Sequence, residues 1–208
     1  MSIDIKVLEL THLDAAFDLA TQTFAEASTL HRALKIGLNE YKEYLRDPFQ
    51  LMVKEGLSIA ATDNHSGHLV GCLVVTDFAR QLFEETNTNT KFSPLSALTE
   101  DLCRQYQSKR DVSVGEAILV DMAAVSEEAA GKGVYQQMRA AAHDLARSQG
   151  FQLVIGELSS AATQHVVLEL LGHKKMAEIA FAEFQFGEER PFQEIKEPPS
   201  IILSEGRL

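Results

Sequence analysis

Ala117-Ile118-Leu119-Val120-Asp121-Met122-Ala123-Ala124-Val125 is a nearly continuous apolar run, and Ser126-Glu127-Glu128-Ala129-Ala130-Gly131-Lys132-Gly133 follows it directly. A run of this length, β-branched in part and broken only by Asp121, reads as a central strand buried on both faces. Beyond the glycines, Val134, Met138, Ala142 and Leu145 fall on one stripe of a helix over 134–148, and Gly150 stands just past its end. Phe151 to Ile155 is then another short buried strand. Strand, glycine turn, helix, strand is the unit around which the rest of the chain is arranged.

Outward from that unit the pattern continues. Residues 3–10 alternate as a half-buried strand does, and Thr11 offers an N-cap oxygen to a helix carrying Ala16, Phe17, Ala20 and Phe24. A second helix is expected over 30–46, stopping before Pro48. Strands at 57–62 and 69–76 flank a turn at 64–67, which suggests a hairpin. Residues 84–93 are polar and read as a loop, and 94–109 as a helix. A helix over 160–171 closes at Gly172, and strands at 174–184 and 200–204 complete the chain. The expected fold is one α/β domain spanning 1–208, with a mixed, mostly antiparallel central sheet flanked by helices.

Composition narrows the function classes. Acidic residues number 30 against 19 basic, a net charge of −11, which argues against binding nucleic acid through its phosphates. The same charge suits a cationic partner such as an amine. No stretch approaches the roughly 18 apolar residues of a membrane span, and the first residues lack the pattern of a signal peptide. Two cysteines, Cys72 and Cys103, form no disulfide framework, so a cytoplasmic protein with reduced thiols is expected. His65 and His68 share a turn without further ligands, and no metal is expected.

A glycine turn at a helix start frees backbone N–H groups for an anion. Gly131-Lys132-Gly133 is not a P-loop, because no Ser or Thr follows Lys132, and it lacks the third glycine of the dinucleotide fingerprint. It resembles the acetyl-CoA loop of the GCN5-related N-acetyltransferases, which reads Arg/Gln-x-x-Gly-x-Gly/Ala after a strand ending in Val, here Val125. Ala130 stands where that family usually carries Arg, and Tyr135 where it carries Gly or Ala. Leu171-Gly172-His173 matches the family's Leu-Gly-Phe. Thr23-Phe24-Ala25-Glu26, Ser159-Ser160 and Ile179-Ala180-Phe181-Ala182-Glu183-Phe184 follow the order of the arylalkylamine N-acetyltransferase branch.

That resemblance implies acetyl transfer from acetyl-CoA to the primary amine of a small molecule by direct attack. It implies that Ala123, Val125, Gly131, Lys132, Gly133, Val134 and Tyr135 hold the cofactor, the first two through strand backbone and the rest around its pyrophosphate. An alkylamine with a pKa near 10.4 is about 0.04% neutral at pH 7, so a base assists. Glu26 is the first candidate, on the helix from which the branch supplies a glutamate, although an ungapped match places that glutamate at Ser28. Asp121 is the second; alternation along the strand puts it on the face of Leu119, Ala123 and Val125, where it is either functional or a satisfied core carboxylate. Ser160 matches a serine near substrate and thiol in the branch, and reads equally well as a helix N-cap. The tyrosine that protonates the thiolate in many family members is Leu168 here. A non-catalytic acyl-CoA-binding or regulatory module, and an interaction domain without cofactor, stay open as alternatives. Sheet edges and the acidic C-terminal segment permit a homodimer.

Overall fold

The computed structural model describes residues 2–80 and 91–208. Seven strands form one sheet: β1 (Ile3–Val7), β2 (Ile59–Asp63), β3 (Leu69–Asp77), β4 (Ala117–Val125), β5 (Leu153–Leu158), β6 (Lys174–Ala180) and β7 (Ser200–Arg207). Their order is β1-β2-β3-β4-β5-β7-β6. Every neighbouring pair is antiparallel except β4 and β5. The mixed, mostly antiparallel sheet expected from the sequence is the one observed. Helices α1 (Leu13–Ala27), α3 (Leu38–Lys54) and α4 (Ser93–Gln107) cover one face, with α5 (Val134–Ser148) on the other. Two short helices, α2 (Thr29–Ala33) and α6 (Ala161–Gln164), border the cleft described below. Among the described residues no helix is long and apolar enough to cross a membrane.

Several elements depart from the sequence expectation. The helix expected over 30–46 is two helices, because the chain turns through Lys35 at φ 54° and restarts at Gly37, whose N–H donates to Glu40 Oε2 at 2.8 Å. The second of them, α3, runs straight through Pro48 to Lys54. An interior proline costs about 3 kcal/mol. Tyr41, Leu45, Phe49 and Val53 form one buried stripe at four-residue spacing, and burying Phe49 and Val53 at about 1.5–3 kcal/mol each offsets that cost. The helix expected over 160–171 is four α-helical residues followed by a π-helical segment, His165–Leu170. β6 stops at Ala180, and Phe181, Phe184 and Phe192 then fold back into the core. Of the loop expected at 84–93, the part up to residue 90 lies outside the described residues; Ser93 already belongs to α4.

The middle strand carries the feature that shapes the site. Val74 pairs with Met122 and Val75 with Val120, so Asp121 is an extra residue opposite β3, a β-bulge. The bulge shifts the alternation by one. Leu119 packs with Leu98 and Leu102 of α4, and Met122 and Ala124 pack with Phe17 and Phe49 of α1 and α3. Ala123 and Val125 instead face α5. The expectation that Asp121 shares one face with Leu119, Ala123 and Val125 is therefore corrected: the bulge separates Leu119 from the other two. On the other side of β4, pairing with β5 ends at Val120 opposite Gly156. Beyond that point β4 stays with β3, while Glu157 and Leu158 stay with β7, so the two parallel strands part.

Two glycines set close approaches. A Cβ at Gly71 of β3 would meet the Met138 and Val134 side chains at 3.1–3.3 Å, which shows how closely α5 lies on the sheet. A Cβ at Gly206 of β7 would meet the His173 ring at 2.4 Å, inside any real contact. Gly206→Ala is expected to displace His173 and to lower stability by about 1–3 kcal/mol, the usual cost of overpacking. Urea unfolding checks this; an unchanged midpoint would mean that His173 does not rest on Gly206.

Candidate active site

Where β4 and β5 part, a cavity of about 980 Å³ opens between the helices and the strand ends. Asp121 and Glu157, the first residues beyond the last shared strand pair, both line it. Asp121 is half-buried, and burial pushes its carboxyl up to about 6. No hydrogen-bond partner reaches its carboxylate among the described residues. Glu157 is also half-buried; burial first, and then the charge of Asp121, pushes its carboxyl up to about 7. Its Oε1 accepts from the Cys103 thiol at 3.5 Å, which opposes that rise. A carboxyl poised near neutrality takes a proton from an incoming ammonium far better than an ordinary one.

The sequence reading named Asp121 as a candidate and did not name Glu157. The signal was present, since Glu157 interrupts an apolar segment from Leu153 to Leu158 just as Asp121 interrupts its own. Ending the expected strand at Ile155 hid it. That the two carboxyls line one cavity and feel one another's charge is tertiary information.

The side formed by α1, α2 and α3 is aromatic. Tyr44 stacks on Phe92 with centroids 4.0 Å apart and planes 3° from parallel, and Tyr41 continues the stack at 6.4 Å. His31, only 4% exposed, stands edge-on to Tyr41 at 4.3 Å. Burial lowers its pKa to about 4, so the ring is neutral, and its Nδ1 has no partner among the described residues. These four rings line the cavity along with Ser28 and Phe24. Flat apolar walls ending at carboxyls suit a molecule with an aromatic or alkyl body and a cationic end.

The opposite side belongs to α5. Gly131 and Gly133 adopt left-handed conformations, φ 72° and 73°, which only glycine takes readily, and these fold the turn tightly over the helix start. Lys132 N–H donates to Ala129 O at 3.3 Å and its Nζ to Glu128 O at 2.7 Å. The N–H groups of Gly131, Gly133, Val134 and Tyr135 meet no acceptor among the described residues, as the start of a helix allows. They fit an anionic group such as a pyrophosphate. Glu127 and Glu128 stand exposed next to them. Val134 is buried and anchors the helix, while Tyr135 lines the cavity, its Oη accepting from Arg139 Nη1 at 3.0 Å.

The other sequence candidates are scattered. Ala123 lines the cavity, and Val125 is half-buried at the end of β4. Glu26 lies on the exposed part of α1, its Oε1 accepting from Gln22 at 3.1 Å, and it does not line the cavity. Ser28 does. Ser160 is exposed and caps α6, its Oγ accepting from Thr163 N–H at 3.1 Å and contacting Thr163 Oγ1, while its neighbour Ser159 lines the cavity. Both cysteines are free and buried; burial raises Cys72 to about 12, which fits an inert core thiol. No group of three or more His, Cys, Asp or Glu among the described residues could hold a metal ion.

The carboxyl pair gives stability a pH dependence of fixed sign. Both groups hold protons to higher pH folded than unfolded, so their contribution is full below the ordinary carboxylate range. It is lost as pH rises through about 6 for Asp121 and about 7 for Glu157. Glu157→Gln removes one of these titrations. Relative to this variant, the wild type should lose stability between about pH 4.5 and pH 8. Denaturant unfolding across that range measures it, and a flat difference would mean that Glu157 titrates as an ordinary carboxylate.

No family model and no curated protein matches the chain. Solved structures do. The C-terminal condensation domain of Ebony, in complex with beta-alanyl-dopamine, superposes with TM-score 0.89 at 16% identity, covering 100% of both chains. Arylalkylamine N-acetyltransferase 2 from Aedes aegypti superposes with TM-score 0.78 at 17% identity, covering 100% of this chain and 99% of that one. The polyamine N-acetyltransferase of Drosophila melanogaster gives 0.67 at 17% identity, with full coverage of both. At such identities the likeness concerns the fold, and the fold is that of the GCN5-related N-acetyltransferases, in the form seen in their arylalkylamine branch.

Proposed function

We propose that this chain forms amide bonds, moving an acyl group from a pantetheine thioester to the primary amine of a small molecule. The observation that carries the reading is the pair Asp121 and Glu157, both with raised pKa, at the point where β4 and β5 part beside an aromatic wall. An amine arriving as an ammonium gives its proton to one of these carboxylates. The free lone pair then attacks the thioester carbonyl; the C–N bond forms, the C–S bond breaks, and the amine's second proton or that of the carboxyl ends on the departing thiolate. Positioning supplies much of the rate, and no covalent acyl-enzyme is required. Glu26 and Ser160 touch neither the cavity nor one another, so the base is assigned to the β4–β5 pair.

Acetyl-CoA is the donor that the glycine loop's resemblance implies. The unpaired amides of Gly131, Gly133, Val134 and Tyr135 would hold its pyrophosphate, and the gap between β4 and β5 its pantetheine. When bound, the thioester supplies an activated acyl group. A second reading concerns that acyl group. The superposition at TM-score 0.89 is with a domain holding beta-alanyl-dopamine, whose acyl part itself bears an amine. Two carboxyls lining one cavity offer one partner for the attacking amine and another for an ammonium on the acyl group. On this reading the donor is an aminoacyl thioester of the β-alanyl kind, and the acceptor an arylalkylamine.

Thiol release with acetyl-CoA and with β-alanyl-CoA, each over a panel of arylalkylamines and polyamines, separates these readings. Asp121→Asn or Glu157→Gln should lower turnover near pH 7 by about 10²–10⁴, with recovery as pH rises and the amine loses its own proton. Glu26→Gln should retain wild-type turnover. Binding of CoA without thiol release from either donor would favour a non-catalytic acyl-CoA-binding module. Wild-type profiles for both carboxyl variants would remove the pair from the chemistry.

A further inference from the structure

Arg139 lies one turn beyond Tyr135 on α5 and is only 5% exposed. It forms part of the cavity wall. Its Nη1 donates to Tyr135 Oη at 3.0 Å and its Nη2 lies 3.3 Å from His173 Nε2. Its Nε is buried without a partner among the described residues. No carboxylate pairs with it among the described residues. Burial first, and then the Arg139 charge, lowers His173 to about 4, so that imidazole is neutral and supplies no counter-charge. A guanidinium does not give up its proton, and a buried charge without an opposite partner is costly. The arrangement is nevertheless built: Gly206 leaves room for His173, whose Nδ1 lies 3.4 Å from Ser204 Oγ, and the ring in turn braces Arg139. The position is also distinct from the two carboxyls, which have no hydrogen bond to it.

We propose that Arg139 is a binding residue for a phosphate of the donor, the phosphate that caps the pantetheine arm. This rests on the reading of the chain as a pantetheine-thioester acyltransferase, and deepens it. The loop carries Ala130 where a cation was expected, and Glu127 and Glu128 stand exposed beside it. Arg139 adds a positive charge on the cavity wall to that of Lys132 on the loop. A guanidinium meets a phosphate through charge-assisted hydrogen bonds, and the Arg139 guanidinium borders the cavity. The same phosphopantetheine chemistry reaches the site either in CoA or on a carrier protein's prosthetic arm.

Calorimetry with pantetheine, 4′-phosphopantetheine and CoA, on wild type and on Arg139→Gln, tests this. Wild type should bind 4′-phosphopantetheine about 10- to 100-fold more tightly than pantetheine, the range of a charge-assisted pair. Arg139→Gln should remove most of that ratio while leaving pantetheine affinity within about twofold. Its thermal midpoint should hold or rise, because an uncompensated buried charge is gone. A lowered midpoint with the affinity ratio intact would make Arg139 a structural residue and overturn the proposal. Equal binding of pantetheine and 4′-phosphopantetheine by wild type would overturn it as well, while leaving the acyltransferase reading in place. Binding of none of the three would overturn both. With the ratio lost in Arg139→Gln, tighter binding of CoA than of 4′-phosphopantetheine would assign the phosphate to CoA, and equal binding to a carrier's arm.

Discussion

Beyond Val120 and Gly156, β4 and β5 cease to share hydrogen bonds, and that interruption determines what the protein can hold. Parallel strands with both faces covered normally stay paired to their ends. Here the strands keep their outer partners, β3 and β7, and let one another go. On the side away from β3, β4 therefore has no strand partner from Asp121 onward, and Asp121, Met122 and Ala123 line the cavity. The bulge at Asp121 belongs to the same event, because an extra residue on one edge lets β4 bend away from β5 without breaking its ladder with β3.

Charge is arranged around that opening in two separate places. On the sheet, two carboxyls with raised pKa line the cavity without cationic partners among the described residues; on α5, a guanidinium is held by a tyrosine and a neutral imidazole. Each alone is unfavourable in a protein interior, and neither is neutralised by the other. Unpaired opposite charges at two points of one cavity fit a substrate set with a cationic amine at one end and an anionic phosphate at the other. The aromatic stack of Tyr41, Tyr44 and Phe92 supplies the apolar surface that such an amine's body needs.

Much of the frame could be read from residue order. The apolar run through Val125, the glycine turn and the stripe of Val134, Met138 and Ala142 specify a strand, a tight turn and a helix by local chemistry alone, and the structure holds all three. Asp121 stood out for the same reason. What escaped depends on contacts distant in sequence. Nothing local marks Lys35 as the point where one expected helix becomes two, and Pro48 reads as a stop until Phe49 and Val53 are seen buried beyond it. The bulge exists only relative to β3, so strict alternation misplaced Asp121. Glu157 acquires meaning from Asp121, and Arg139 from the absence of a paired carboxylate among the described residues. An arginine among Met138, Ala141 and Ala142 looks like an ordinary helix-face residue.

On the proposed reading, the β4–β5 opening seats a thioester with its amine acceptor against Asp121 and Glu157. A crystal structure with a stable amide product analogue, or with CoA and an amine together, tests it most directly. Pantetheine sulfur is expected in the gap beyond Val120 and Gly156, with the amine nitrogen within hydrogen-bond distance, about 2.6–3.2 Å, of one of the two carboxyls. A ligand seated elsewhere, or an amine nitrogen remote from both carboxyls, would contradict it.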